Sequence, residues 1–236
     1  MKTNPYEIVD QESSALKSVS ADGIQGDFFS GFGAAVTDAN ELVGQSLPMP
    51  NASVVLYRNF FDPRTSDRLF EQLRDEINWR QDRIKIYGKE IDLPRKTAWY
   101  GDNGKSYSYS GIHLIPAPWT PTLLQVKARV EDAVDVRFNS VLLNLYRHGT
   151  DSMSWHADDE PELGQNPVIA SVSFGGTRRL VFRHRHNKSL KTDVELTHGS
   201  FLLMAGDTQH FWQHQVPKTA RTVAPRINLT FRVIMD

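Results

Sequence analysis

Between residues 140 and 233 the chain breaks into short β-rich runs: Ser140–Tyr146, 168–174, 179–183, 200–204 and 226–233. Gly, Asp or Pro turns separate them. Runs this short, following one another without helical periodicity, leave a sandwich or an open barrel as the way to bury their apolar faces. Upstream, Asp62 followed by Pro63 has the form of a helix N-cap and first turn, and Leu69, Leu73 and Ile77 then recur at four-residue intervals. A second helix is predicted over Pro121–Val134, opened by Thr120 and Pro121, with Leu124, Ala128 and Val130 or Glu131 turning around it. The expected fold is mainly β with helices packed outside.

With 236 residues, 39% of them hydrophobic, the chain is long enough for one substantial core and short for two. From about Ser13 to Pro50 the chain is rich in Gly, Ser and Ala without sustained period and ends in Leu47, Pro48, Met49 and Pro50, so residues 1–50 are expected to form a flexible leader. Phe28, Phe29 and Phe32 are candidates for docking from it. The folded domain is expected over 51–236.

Two runs show how such a barrel can hold a polar interior. Side chains alternate faces along a strand, so Arg226, Asn228, Thr230 and Arg232 share one side of their run, opposite Ile227, Leu229 and Phe231. Asn144 and Tyr146 likewise share a side opposite Leu143 and Leu145. These polar sides either meet water, the usual arrangement in an antiparallel sheet, or line a pocket.

Charge narrows the partners. Lys and Arg number 27 against 28 Asp and Glu, a net of −1, so no global field draws the chain to nucleic acid or an anionic membrane. The absence of cysteine excludes disulfides and thiolate zinc sites. A metal here would take nitrogen and oxygen ligands. Residues 1–19 lack the apolar run of a signal peptide, and no long apolar segment follows, which predicts a soluble, intracellular protein without membrane attachment.

The sequence "SWHADDE" puts one imidazole and three carboxylates into five positions, His156 to Glu160. A cation, a positively charged partner or solvent can each offset that repulsion. In extended chain His156 and Asp158 leave the same face and can hold one ion; a site of two histidines and one carboxylate needs one more imidazole and leaves positions open. His184, His186, His198, His210 and His214 are the downstream candidates. His214 is favoured because it lies shortly before the Arg226 run, with which its own segment is expected to pair, bringing the imidazole beside Arg226 and Asn228.

From Pro94 to Arg232 the sequence resembles the AlkB family of iron(II)- and 2-oxoglutarate-dependent nucleic-acid demethylases, especially its DNA-repair members. The resemblance is carried by "PRKTAWYGD", "YSYSG", "NLYRHGTDSMSWHADDEPELG", "PVIASVSFGGTRR", "HGSFLLM", "WQHQVPK" and "PRINLTFR". It implies a double-stranded β-helix, or jelly roll. It implies Fe(II) held by His156, Asp158 and His214, with 2-oxoglutarate and O2 as co-substrates. Arg226 would pair with the far carboxylate of 2-oxoglutarate, as a guanidinium fork suits. Asn144 and Tyr146 would hydrogen-bond the co-substrate, and Asn228, Thr230 and Arg232 would complete its wall. The implied reaction oxidises N-methyl groups of bases such as 1-methyladenine and 3-methylcytosine in DNA, releasing formaldehyde and restoring the base.

A target base must leave the stack to reach such a site. The resemblance places Arg95, Tyr107 and Tyr109 in the base pocket, within a nucleotide-recognition segment over 80–115, and puts Asp159 and Glu160 near the base. Residues 83–89 fall where duplex-repairing relatives carry a flipping hairpin, with Tyr87 as its wedge. Arg178, Arg179, Arg183, Arg185, Lys188 and Lys191 follow one another without an intervening acid, a pattern suited to tracking phosphates. Two alternatives stay open: the same chemistry on RNA, and a barrel that binds nucleic acid without catalysis. The chain is expected to work as a monomer, in the cytoplasm of a bacterium or the nucleus of a eukaryote.

Overall fold

Both predicted helices start where their caps require. A computed structural model describes residues 42–86, 89–104, 107–109, 112–114 and 116–235. In it, helix α1 (Pro63–Glu76) is capped by Asp62, whose carboxylate accepts from the Thr65 amide at 3.0 Å. Helix α2 (Pro121–Val134) is capped by Thr120, whose hydroxyl accepts from the Leu123 amide at 3.2 Å.

Fifteen strands are described. Ahead of α2 they are β1 (Gln45–Ser46), β2 (Ser53–Tyr57), β3 (Arg83–Ile86), β4 (Lys89–Asp92), β5 (Lys96–Gly101), β6 (Tyr107–Tyr109) and β7 (Ile112–Leu114). After it come β8 (Ser140–Tyr146), β9 (Met153–His156), β10 (Ile169–Gly175), β11 (Arg178–His184) and β12 (Lys191–Leu196). Then follow β13 (Ser200–Ala205), the short helix α3 (Thr208–Phe211), β14 (Trp212–Val216) and β15 (Arg226–Arg232).

A seven-stranded sheet in the order β1-β2-β13-β10-β15-β8-β5 faces a four-stranded sheet in the order β12-β11-β14-β9. Pairing within both is antiparallel, the arrangement of a jelly roll. The two hairpins β3-β4 and β6-β7 stand apart from these sheets.

Alternation along the strands divides the core in two. Leu143, Val172, Leu229 and Phe231 pack outward from the large sheet against α1 and α2. Leu202, Met204, Phe182 and Trp212 lie in a second cluster, drawn from both sheets. Fully burying one such side chain is worth roughly 1.5–3 kcal/mol.

Three expectations change. In α2 the buried stripe is Leu123, Val126, Val130 and Val134, whereas Leu124 is 48% exposed. The helix carries aliphatic residues on adjoining faces, so periodicity alone does not choose between stripes one residue apart. The expected leader already contains ordered chain: β1 pairs with β2, Met49 is buried, and the Pro50 carbonyl accepts from the Trp212 indole at 2.9 Å. Residues 1–41, with Phe28, Phe29 and Phe32, lie outside the described residues. Strand β14 does not pair with β15; it runs between β11 and β9 in the opposite sheet. Of the two alternatives for the polar side of β15, the structure takes the interior one: Arg226, Asn228, Thr230 and Arg232 are all buried.

Candidate active site

The corrected pairing of β14 is what assembles the cluster. His214 stands directly across from His156 in the β14–β9 register, and their rings lie 4.2 Å apart. Asp158 follows β9 by two residues, and its Oδ2 lies 3.5 Å from His214 Nε2. One ligand atom from each of the three falls within 4.8 Å of the others, a spacing that one ion can bridge.

Neighbouring groups fix how each points. The His156 Nδ1–H donates to the Ser154 carbonyl at 2.8 Å, which leaves Nε2 with its lone pair toward the cluster. Arg232 donates to Asp158 Oδ1, and the Asp158 amide donates to Gln209 Oε1 at 2.9 Å. Oδ2 therefore remains for the interior.

The electrostatics give the protonation states a metal needs. Burial pushes His214 down to about 3, reinforced by His156 and Arg232 and opposed by Asp158. His156 is lowered by burial as well. Burial disfavours the Asp158 carboxylate, but the charge of Arg232 above all, with the two imidazoles once they are protonated in acid, outweighs it and holds its pKa below the usual carboxylate range. Two neutral imidazoles and one carboxylate at neutral pH are ready ligands for a hard or borderline divalent cation.

Beside the cluster, the polar sides of β8 and β15 line one cavity, where Asn144, Tyr146, Arg226 and Asn228 join the three ligand candidates. Arg226 is 1% exposed. Its Nη2 donates to Ser173 Oγ at 2.8 Å and to Asn228 Oδ1 at 2.6 Å. Its Nε and Nη1 are buried without a hydrogen-bond partner among the described residues, and burial pushes its pKa down to about 10. A buried guanidinium with two unused donors is a costly arrangement unless an anion completes it. A bound carboxylate would satisfy both.

Residues 53–232 match the family profile of the 2OG-Fe(II) oxygenase superfamily. The chain is 41% identical over 196 residues to human alpha-ketoglutarate-dependent dioxygenase alkB homolog 3, covering 79% of this chain and 68% of that one. It is 39% identical over 189 residues to mouse DNA oxidative demethylase ALKBH2, covering 76% and 79%. The chain belongs to the AlkB family of 2OG-Fe(II) oxygenases. A solved structure of OsALKBH1, 16% identical, superposes with a TM-score of 0.58 over 81% of this chain and all of that one, which shows the shared fold.

As an AlkB-family dioxygenase, the protein uses Fe(II), 2-oxoglutarate and O2. Its remaining candidate residues fall out unevenly. Thr230 accepts from Asn228 Nδ2 at 2.8 Å, inside the same wall. Arg232 acts on Asp158. Arg95 is buried and donates from Nε to Asn144 Oδ1 at 2.6 Å. Asp159 is paired with Arg185 at 2.6 Å. Glu160 precedes the short 3-10 turn Pro161–Leu163. Tyr107 and Tyr109 lie on β6 opposite Leu114 and Ile112, and Tyr87 lies outside the described residues.

The basic run is not a uniform surface. Arg178 is 3% exposed, and its Nη2 donates to the Asp151 and Pro217 carbonyls at 2.8 Å, so it braces loops and offers nothing to phosphate. Arg183 lies over the Trp155 ring at 4.1 Å, whereas Lys188 and Lys191 are exposed.

Ser171, Ser173, Ser154 and Gln209 were not anticipated. Ser171 and Ser173 carry a readable signal, since they alternate with Ala170, Val172 and Phe174 in a run pairing with β15. Gln209 and Ser154 carry none, because an amide on a four-residue helix and a backbone carbonyl are defined only by the folded chain.

Proposed function

We propose that this protein removes N-linked methyl groups from DNA bases, with His156, Asp158 and His214 holding the iron and Arg226 anchoring 2-oxoglutarate. The observation that carries the assignment is the conjunction, in one cavity, of a neutral-His, ionised-Asp cluster with a buried guanidinium that has two donors to spare. A barrel that only bound nucleic acid would have no use for that pair. The DNA substrate is supported by the mouse relative named above as a DNA oxidative demethylase, about two fifths identical to this chain.

When bound, iron with 2-oxoglutarate and O2 supplies the oxidising power that converts an N-methyl into an N-hydroxymethyl group, releasing succinate and carbon dioxide. The protein's part is placement. Ser154 holds the His156 tautomer, Arg232 holds Asp158, and Ser173 with Asn228 aims the Arg226 fork at the distal carboxylate. Asn144 and Tyr146, which line the cavity from β8, would hydrogen-bond the co-substrate. The N-hydroxymethyl product then separates into formaldehyde and the unmodified base. Tyr107, Tyr109, Asp159 and Glu160 are assigned to the side that receives the base.

Wild-type protein given 1-methyladenine or 3-methylcytosine oligonucleotides is expected to release formaldehyde and succinate in equal amounts. His156→Ala and Asp158→Ala are expected to abolish both. Full turnover by either variant would remove the metal assignment, and turnover of RNA above matched DNA would move the substrate to RNA.

A further inference from the structure

Arg95 reaches the site from an unexpected side. It sits just ahead of β5, the strand that pairs with β8, and Thr97 of β5 stands opposite Asn144. It is 3% exposed, and its guanidinium donates from Nε to Asn144 Oδ1 at 2.6 Å and from Nη1 to the Ser152 carbonyl at 3.4 Å. A guanidinium can only donate. The Asn144 amide facing it must therefore present oxygen, and cannot turn over without setting its own N–H groups against the guanidinium. The Asn144 Nδ2 donors are left to the cavity that Asn144 lines with Arg226 and Tyr146.

We propose that Arg95 is a positioning residue for 2-oxoglutarate: it locks Asn144 in the one amide orientation that donates to the co-substrate. This rests on the reading of the cavity as the 2-oxoglutarate site, and departs from a direct role for Arg95 at the base. The lock is charge-assisted and buried, so it is strong for a single hydrogen bond. Without it the amide has two nearly isosteric orientations, one of which turns a lone pair toward an anion.

The same residue is tied to the recognition segment. Gln81 Nε2 donates to the Leu93 carbonyl at 2.7 Å and to the Arg95 carbonyl at 3.2 Å, across the foot of the β3-β4 hairpin. Arg95 therefore connects the segment expected to meet the base with the wall expected to meet the co-substrate. Its removal acts on the second through Asn144.

The test is a double-mutant cycle on full-length protein loaded anaerobically with Mn(II), reading 2-oxoglutarate affinity by quenching of tryptophan fluorescence. Arg95→Met is expected to weaken 2-oxoglutarate binding about tenfold, the worth of one charge-assisted hydrogen bond. Asn144→Ala is expected to do the same, and the pair no more than Asn144→Ala alone, because Arg95 works through that amide. Arg95→Lys, which keeps the charge in a smaller change, is expected to show a loss of severalfold and covers the case of a Met variant that does not fold. In turnover, both Arg95 variants raise the KM for 2-oxoglutarate with the oligonucleotide KM little changed. Unaltered 2-oxoglutarate affinity in a folded Arg95 variant, losses that multiply in the double variant, or a change confined to the oligonucleotide KM would each overturn the proposal and return Arg95 to the base. Wild-type protein that failed to bind 2-oxoglutarate would instead overturn the reading of the cavity.

Discussion

Arg226 carries a burial cost that a bound anion would offset. Its guanidinium is buried, half satisfied by Ser173 and Asn228, and faces no carboxylate among the described residues. Replacing a whole buried ion pair by apolar side chains of similar volume is often neutral or stabilising by about 1–4 kcal/mol, and removing Arg226 likewise leaves no opposite charge stranded among the described residues. Arg226→Met is therefore expected to melt a few degrees higher than wild type without ligand, while losing 2-oxoglutarate affinity by about two orders of magnitude or more. Calorimetric melting with and without 2-oxoglutarate and Mn(II) checks both halves, because the ligand-induced rise in Tm should vanish in the variant. The polar residues of β8 and β15 were legible by alternation; the two unused donors on Arg226 were not, since they depend on what the other strands leave unfilled.

At the scale of the element, α2 owes its exit to Glu131. Its carboxylate accepts from the Phe138 amide at 2.7 Å and from Lys127 Nζ at 2.8 Å, tying the end of the helix to the segment that enters β8. Burial disfavours this carboxylate, but bonds from Lys127, Phe138 and Arg137 outweigh it, so its pKa in the folded protein lies below the usual value. The sign follows: the contribution is full above the unfolded pKa of about 4.3 and is lost as pH falls through the lower folded value. Urea midpoints between about pH 5 and pH 3 should therefore fall less steeply in Glu131→Gln than in wild type, although the variant starts lower at pH 7. An equal slope would remove Glu131 from the acid limb. The position of α2 was legible from Thr120 and Pro121, but its buried stripe was not, because Leu123 and Leu124 are equally apolar and only packing against the large sheet separates them.

At the scale of the molecule, the order of the two sheets brings the candidate ligands together. His156 and His214 come from neighbouring strands of the small sheet, Asp158 from the loop leaving it, and Arg226, Asn228 and Arg232 from one strand of the large sheet. The core extends ahead of residue 51, where Met49 packs with Leu56 and Trp212 between the sheets. A chain beginning at residue 51 is expected to lose about 2 kcal/mol from that one side chain, besides the β1 pairing. Comparing denaturant midpoints of chains starting at residues 42 and 51 checks this, and equal midpoints would confine the folded unit to the later boundary.

The strand character of 140–233, the two helix starts and the local pair His156 and Asp158 depended on near neighbours, so the amino-acid sequence by itself determined them. Alternation, capping and i to i+2 spacing act within a few residues. Which strand would carry His214 to that pair, that Arg178 would turn inward to loop carbonyls, and that Arg95 would grip Asn144 were decided only by the tertiary structure. Pairing partners are chosen by burial and loop closure over the whole chain, and no local pattern distinguishes β9 from β15 as the neighbour of β14.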